Sequence, residues 1–176
     1  LRFFPDGKID KKRFFDAEVA AAREIEILAH DYRAFGWTEA VASSGTAKAV
    51  ADILEINGLN PDGGPGISRE GLDKLKAQLI RAGSAAGLKF EGLRPDRAPV
   101  FAGGVAILSA VLSTLGITRM TYAEGALRLG VLYDLLGRFH QHDIADRKVF
   151  NGHFHLIVAI NNRNRFRLQS HQLFQR

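Results

Sequence analysis

Three short stretches carry residues suited to holding phosphate. Ser43-Ser44-Gly45-Thr46 lies between a predicted strand, Thr38 to Ala42, and a predicted helix, Ala47 to Ile56. Such a loop offers backbone N–H donors, serine and threonine hydroxyls and the positive end of a helix dipole. The same residues serve equally well as a plain helix cap, with Ser44 or Thr46 accepting from the first turn. Gly103-Gly104 follows Val100 to Ala102 and precedes a second apolar run. It reads as a turn between a short buried strand and a helix over Val105 to Leu115, where a chain without Cβ can approach a ligand closely. Gly125-Ala126-Leu127-Arg128 again follows a predicted strand, Arg119 to Tyr122, and opens a helix, Gly125 to Leu136. Arg128 can reach a phosphate or pair with Glu124 or Asp134. All three loops fall at carboxyl ends of strands, the usual ligand edge of an open sheet. The candidates are therefore Ser43, Ser44, Gly45, Thr46, Gly103, Gly104, Gly125 and Arg128.

Other chemistry finds little support. His140, His142 and Asp143 are close in sequence, with His153 and His155 beyond. Their spacing does not match the helical two-histidine pattern of zinc hydrolases, so no metal ligand is assigned. No Ser-His-Asp arrangement or catalytic carboxylate pair stands out. The chain has no cysteine, which removes disulfides and thiolate catalysis.

The elements that would position these loops alternate between helix and strand, an α/β pattern. From Lys11 to Phe35 apolar residues recur at three and four, with Asp10 as N-cap and Gly36 as terminator. Ser68 caps a helix with Leu72, Leu75, Leu79 and Ile80 on one face, after a mobile-looking loop, Asn60 to Gly66. Ala98 to Ile117 is uncharged and long enough to cross a membrane. Pro99 and the glycine pair favour a buried core segment instead, closed by Gly116 as a left-handed cap.

The 176 residues carry 24 basic and 19 acidic side chains, a net of +5. Six of the basic residues, Arg147, Lys148, Arg163, Arg165, Arg167 and Arg176, fall in 147–176, which holds no Asp or Glu. Removing those six leaves 18 basic against 19 acidic residues in 1–146, so the high isoelectric point belongs to the tail. Such a tail either seeks a polyanion or is simply solvated. Within it only Leu156 to Ile160 reads as a strand. The lack of cysteine fits a cytoplasmic protein, the opening LRFFPDGKID lacks a leader's hydrophobic segment, and the missing initiator methionine fits a start inside a larger protein.

The opening RFFPDGKIDKKRF, the segment AVASSGTAKAVADIL (Ala40 to Leu54) and the run from Arg94 to Arg138 resemble the exopolyphosphatase / guanosine pentaphosphate phosphohydrolase family. The resemblance covers residues 1–149 and implies a ribonuclease-H-like lobe of the actin–Hsp70–sugar kinase superfamily, the second of two lobes around a cleft. Residues 150–176 depart from it as a basic divergent tail. The resemblance implies metal-assisted phosphoanhydride hydrolysis, with Mg²⁺ as cofactor and inorganic polyphosphate or guanosine pentaphosphate as substrate. The family's general base and its other phosphate loop belong to the half absent here. The chain alone is therefore expected to be catalytically poor and to need the missing first lobe as partner. Ser43 to Thr46, Gly103-Gly104 and Gly125 to Arg128 would hold phosphate oxygens across the cleft. Ala123, Glu124 and Leu129 stand where the family has Ser, Asp and an acidic residue. A homodimer is compatible with this reading, a membrane partner is not expected, and nucleic acid is disfavoured. The alternative is a non-catalytic nucleotide- or polyanion-binding lobe.

Overall fold

A computed structural model of the chain describes residues 2–122, 155–161 and 165–170. Among these residues four α-helices, α1 (Lys11–Phe35), α2 (Gly45–Ile56), α3 (Arg69–Ala82) and α4 (Ala98–Leu115), accompany five strands. The strands are β1 (Glu39–Ser43), β2 (Ile67–Ser68), β3 (Arg119–Tyr122), β4 (His155–Asn161) and β5 (Arg165–Ser170). They form one mixed sheet in the order β2-β3-β1-β4-β5. Its three central strands are parallel, with Val41 paired to both Thr121 and Ile157, and β2 and β5 close the two sides antiparallel. This is an α/β architecture.

Sequence signals set most boundaries. The Asp10 carboxylate accepts from Arg13 N–H at 2.8 Å and starts α1, and Gly36, at φ 70°, ends it. Ser68 Oγ caps α3 through Gly71 N–H at 2.9 Å, and Gly116, at φ 73°, terminates α4. Phe14, Ile25 and Ala29 of α1 share a buried cluster with Leu108, Val111 and Leu112 of α4 and Leu72, Leu75 and Leu79 of α3. On the sheet, Ala40, Ala42 and Met120 face this core, while Glu39 and Thr121 are exposed. Alternation along β1 and β3 thus packs one face of these strands under helices.

One expectation is corrected. Val100 to Ala102 is not a strand and Gly103-Gly104 is not a turn; both lie inside α4, one continuous helix from Ala98. Two glycines disfavour a helix by about 1 kcal/mol each relative to alanine. Against that, eleven α4 residues, from Phe101 to Leu115, are buried, and each large apolar side chain contributes about 1.5–3 kcal/mol. Pro99 adds no obstacle, because it sits in the first turn, where its missing N–H has no helical partner to lose. α4 is long and apolar enough to span a membrane, but here it is the central core helix.

Two polar clusters fix the packing. Glu18 of α1 accepts from Lys76 Nζ of α3 at 2.6 Å and from Ser109 Oγ of α4 at 2.6 Å, joining three helices at one carboxylate. Buried Asn60 organises the loop ahead of α3. Its amide donates to Gly64 O at 2.7 Å and Gly66 O at 3.1 Å, and its oxygen accepts from Ser68 Oγ at 2.7 Å. Arg119 of β3 holds the same loop through Asp62 at 2.6 Å and Pro65 O at 2.8 Å. The two-residue β2 at its end was not legible in the sequence.

Candidate functional site

The site grows from the junction of β1 and α2. Ser43 ends the strand, Ser44 is the N-cap with extended backbone, and Gly45 and Thr46 form the first helical turn. Ser44 Oγ accepts from Ala47 N–H at 3.0 Å, so the capping role of this serine is met. That leaves the leading N–H groups of the turn, which no carbonyl within a helix can reach, directed past the end of β1. The hydroxyl of Ser44 keeps its own proton for donation.

Arg97 completes the junction, and sequence reading did not select it. A Cβ built on Gly45 would stand 3.2 Å from Arg97 Nη2 and 3.4 Å from Nη1, so the guanidinium lies against the start of α2. Among the described residues it pairs with Asp96, whose Oδ2 is 3.9 Å from Nε, at the limit of an ion pair. A guanidinium and the positive end of a helix dipole repel each other. Their meeting makes electrostatic sense around an anion. Lys48, one turn into α2, adds a further cation beside Asp52 at 3.0 Å and over the Tyr122 ring at 5.6 Å. Tyr122 closes β3 next to Ala42, so the whole group sits at the carboxyl edge of the parallel strands.

Gly104 reaches this junction from α4, for packing rather than for a turn. A Cβ there would run into Thr46 Cγ2, so only glycine lets the α4 backbone approach the first turn of α2. A Cβ on Gly103 would meet nothing within 4 Å. The structure therefore gathers Ser43, Ser44, Gly45, Thr46 and Gly104 and adds Arg97, with Gly103 one residue from the contact. Gly125, Arg128, His140, His142, Asp143 and His153 lie outside the described residues. Among the described residues no group of three or more His, Cys, Asp or Glu is placed to hold a metal. The near donors at the junction are hydroxyls, N–H groups and cations, a set that suits an anion and does not suit Mg²⁺.

The one signal for Arg97 was its place as the last charge before the uncharged run. Comparison with known proteins now bears on what such an anion site is for. The Ppx/GppA phosphatase family matches over residues 1–139. The chain belongs to that family. An Aeromonas hydrophila guanosine-5'-triphosphate,3'-diphosphate pyrophosphatase is 42% identical over 144 residues, 82% of this chain and 28% of that protein. A Haemophilus influenzae protein, provisionally named an exopolyphosphatase, is 42% identical over 143 residues, 81% of this chain and 43% of its own length. An Aeromonas salmonicida protein with the same name as the first is 40% identical, again with 28% of its length covered. This Ppx/GppA chain thus spans less than half the length of these curated relatives. The resemblance drawn from the motifs is the family found.

Proposed function

We propose that this chain is the phosphate-holding lobe of a phosphoanhydride hydrolase that releases terminal phosphate from inorganic polyphosphate. The observation that carries the reading is the Arg97 guanidinium set against the amino end of α2 at Gly45. In this reading the Gly45 and Thr46 N–H groups and the Ser44 hydroxyl donate to phosphate oxygens, and Arg97 grips two of them side by side. Charge developing on the transferred phosphoryl oxygens is stabilised by donors already in place, which is the main work a protein does in phosphoryl transfer. The lobe is of the ribonuclease-H-like kind, residues 1–149, with 150–176 appended, and works in the cytoplasm. In this reading the general base and the ligands of an accompanying Mg²⁺ come from the first lobe of a longer assembly, as the family resemblance implies. By the family resemblance, Gly125 and Arg128, which lie outside the described residues, are read as further phosphate-holding residues. The isolated chain should then bind phosphate chains and turn them over poorly.

The names of the two Aeromonas relatives favour guanosine pentaphosphate as a second substrate reading. An amide-resolved NMR titration with tripolyphosphate and Mg²⁺ tests the common core. Shifts concentrated at Ser44, Gly45 and Thr46 are expected. Their absence, or robust metal-dependent phosphate release by the isolated chain, would overturn the reading. Competition between tripolyphosphate and guanosine pentaphosphate then separates the substrates.

A further inference from the structure

We infer that Asn57, at the carboxyl end of α2, is a positioning residue for the phosphate site at the amino end of the same helix, acting through the segment 90–97 that carries Arg97. The inference rests on the phosphate reading above and deepens it by naming what keeps its principal cation in reach. α2 has 12 residues and is therefore about 18 Å long. The segment 90–97 runs beside it in the opposite direction. At the carboxyl end of α2, Asn57 Nδ2 donates to Glu91 O at 3.1 Å. Gly92 lies against Ile56 there, where an added Cβ would stand 2.9 Å from Cδ1. At the amino end, Arg97 lies against Gly45, the first residue of α2. The segment is thus tied to both ends of one helix.

Electrostatics explains why such a tie is needed. Without an anion, a guanidinium has no reason to stay at the positive end of a helix, so the backbone must hold it within reach. α4 does not do this by itself. Arg97 occupies its N-cap position without a capping hydrogen bond, and Pro99 and Val100 of its first turn are exposed. The contact of Gly104 with Thr46 lies about two turns further on. Ahead of Arg97 the backbone makes two turns, with Leu93 N–H donating to Phe90 O at 3.2 Å and Arg97 N–H to Arg94 O at 2.9 Å. These turns fix the reach of the segment, so a shift at Glu91 is passed on to Arg97. Phe90 and Leu93 pack against the core, while the half-buried Asn57 amide sets the register along α2. Its second hydrogen goes to Ile53 O at 2.9 Å, in the last turn of the helix. Both partners are carbonyls, so the NH2 group alone makes the tie.

The test is a double-mutant cycle on the full chain, read by calorimetric titration with tripolyphosphate below each variant's unfolding midpoint. Asn57→Asp keeps the size of the side chain but turns both donors into a carboxylate facing two carbonyls. It is expected to weaken binding about three- to fivefold, because a smaller share of the molecules holds Arg97 in place. The new charge lies about 18 Å from Gly45, beyond the screening length at physiological salt, so direct repulsion adds little. Asn57→Ala removes the amide without adding charge and should lose as much. In an Arg97→Gln background neither substitution should lower affinity further, since the group that Asn57 positions is gone. Gly92→Ala, strained at φ 86° and crowding Ile56, disturbs the same end by another contact and should show the same dependence on Arg97. Parental affinity in the Asn57 variants would overturn the inference. So would losses that multiply with that of Arg97→Gln, which are what a merely structural role produces. If tripolyphosphate gives no shifts at Ser44 and Gly45 of the parent, the phosphate reading fails and this inference with it; shifts there, with losses at Asn57 independent of Arg97, sink the inference alone.

Discussion

At the scale of single residues, the caps were the legible part of this chain. Asp10, Ser44 and Ser68 each precede an apolar period in sequence, and each accepts from a first-turn N–H in the structure. Arg97 was not legible as a site residue, because only tertiary packing carries it to Gly45. Arg97→Gln should weaken tripolyphosphate binding about tenfold or more, the loss of a charge-assisted bond pair. The same substitution should leave the free protein as stable or up to about 1 kcal/mol more stable, since it removes a cation from the positive end of α2. Binding calorimetry beside thermal unfolding reads both; a variant that loses stability together with affinity would make Arg97 a packing residue. Asn60 is the structural counterpart. Asn60→Ala strands the carbonyls of Gly64 and Gly66 and should cost about 2–3 kcal/mol, read as a shift in denaturant midpoint.

At the scale of elements, α4 shows where local signals and packing disagree. Read locally, a proline and a glycine pair after three apolar residues make a strand and a turn. The whole segment is instead one helix, because burial on nearly every side outweighs what two glycines forfeit. The two glycines then differ in use, which no local pattern can show. Gly104→Ala should drive a methyl into Thr46, destabilise by about 1–3 kcal/mol and disturb phosphate binding by shifting the first turn of α2. Gly103→Ala has open space and should stabilise the helix by up to about 1 kcal/mol. Thermal unfolding of the two single variants checks the contrast; equal effects would mean that the Thr46 contact is slack. β2, only two residues long, had too short a pattern to register in sequence.

At the scale of the whole molecule, the alternation of helix and strand made the α/β class legible, and the part of 150–176 that completes the sheet was only half visible, as one short strand. Acid should open the structure first at its ion-paired loops. The Arg13 guanidinium, with help from Lys8 N–H, holds the Asp6 carboxyl down from 3.8 to about 2, and Arg119 lowers that of Asp62. Both carboxyls are depressed in the folded state, so they contribute stability above their ordinary value, and that contribution fades as pH falls through the folded one. Unfolding midpoints measured downward from pH 5 should drop between about pH 4 and 2. Asp6→Asn with Asp62→Asn should flatten that slope; an unchanged slope would place the acid sensitivity elsewhere.

The central place of β1 has a consequence in time. Its partners β3 and β4 arrive late in the chain, and Val41 must wait for Ile157 before its second side is paired. Such long-range pairing makes for high contact order and slow closure. During synthesis, the strand that leads into the phosphate loop therefore stands for a while as an open edge, competent to accept any passing strand, and the speed of that last pairing sets how long the nascent chain is exposed to aggregation.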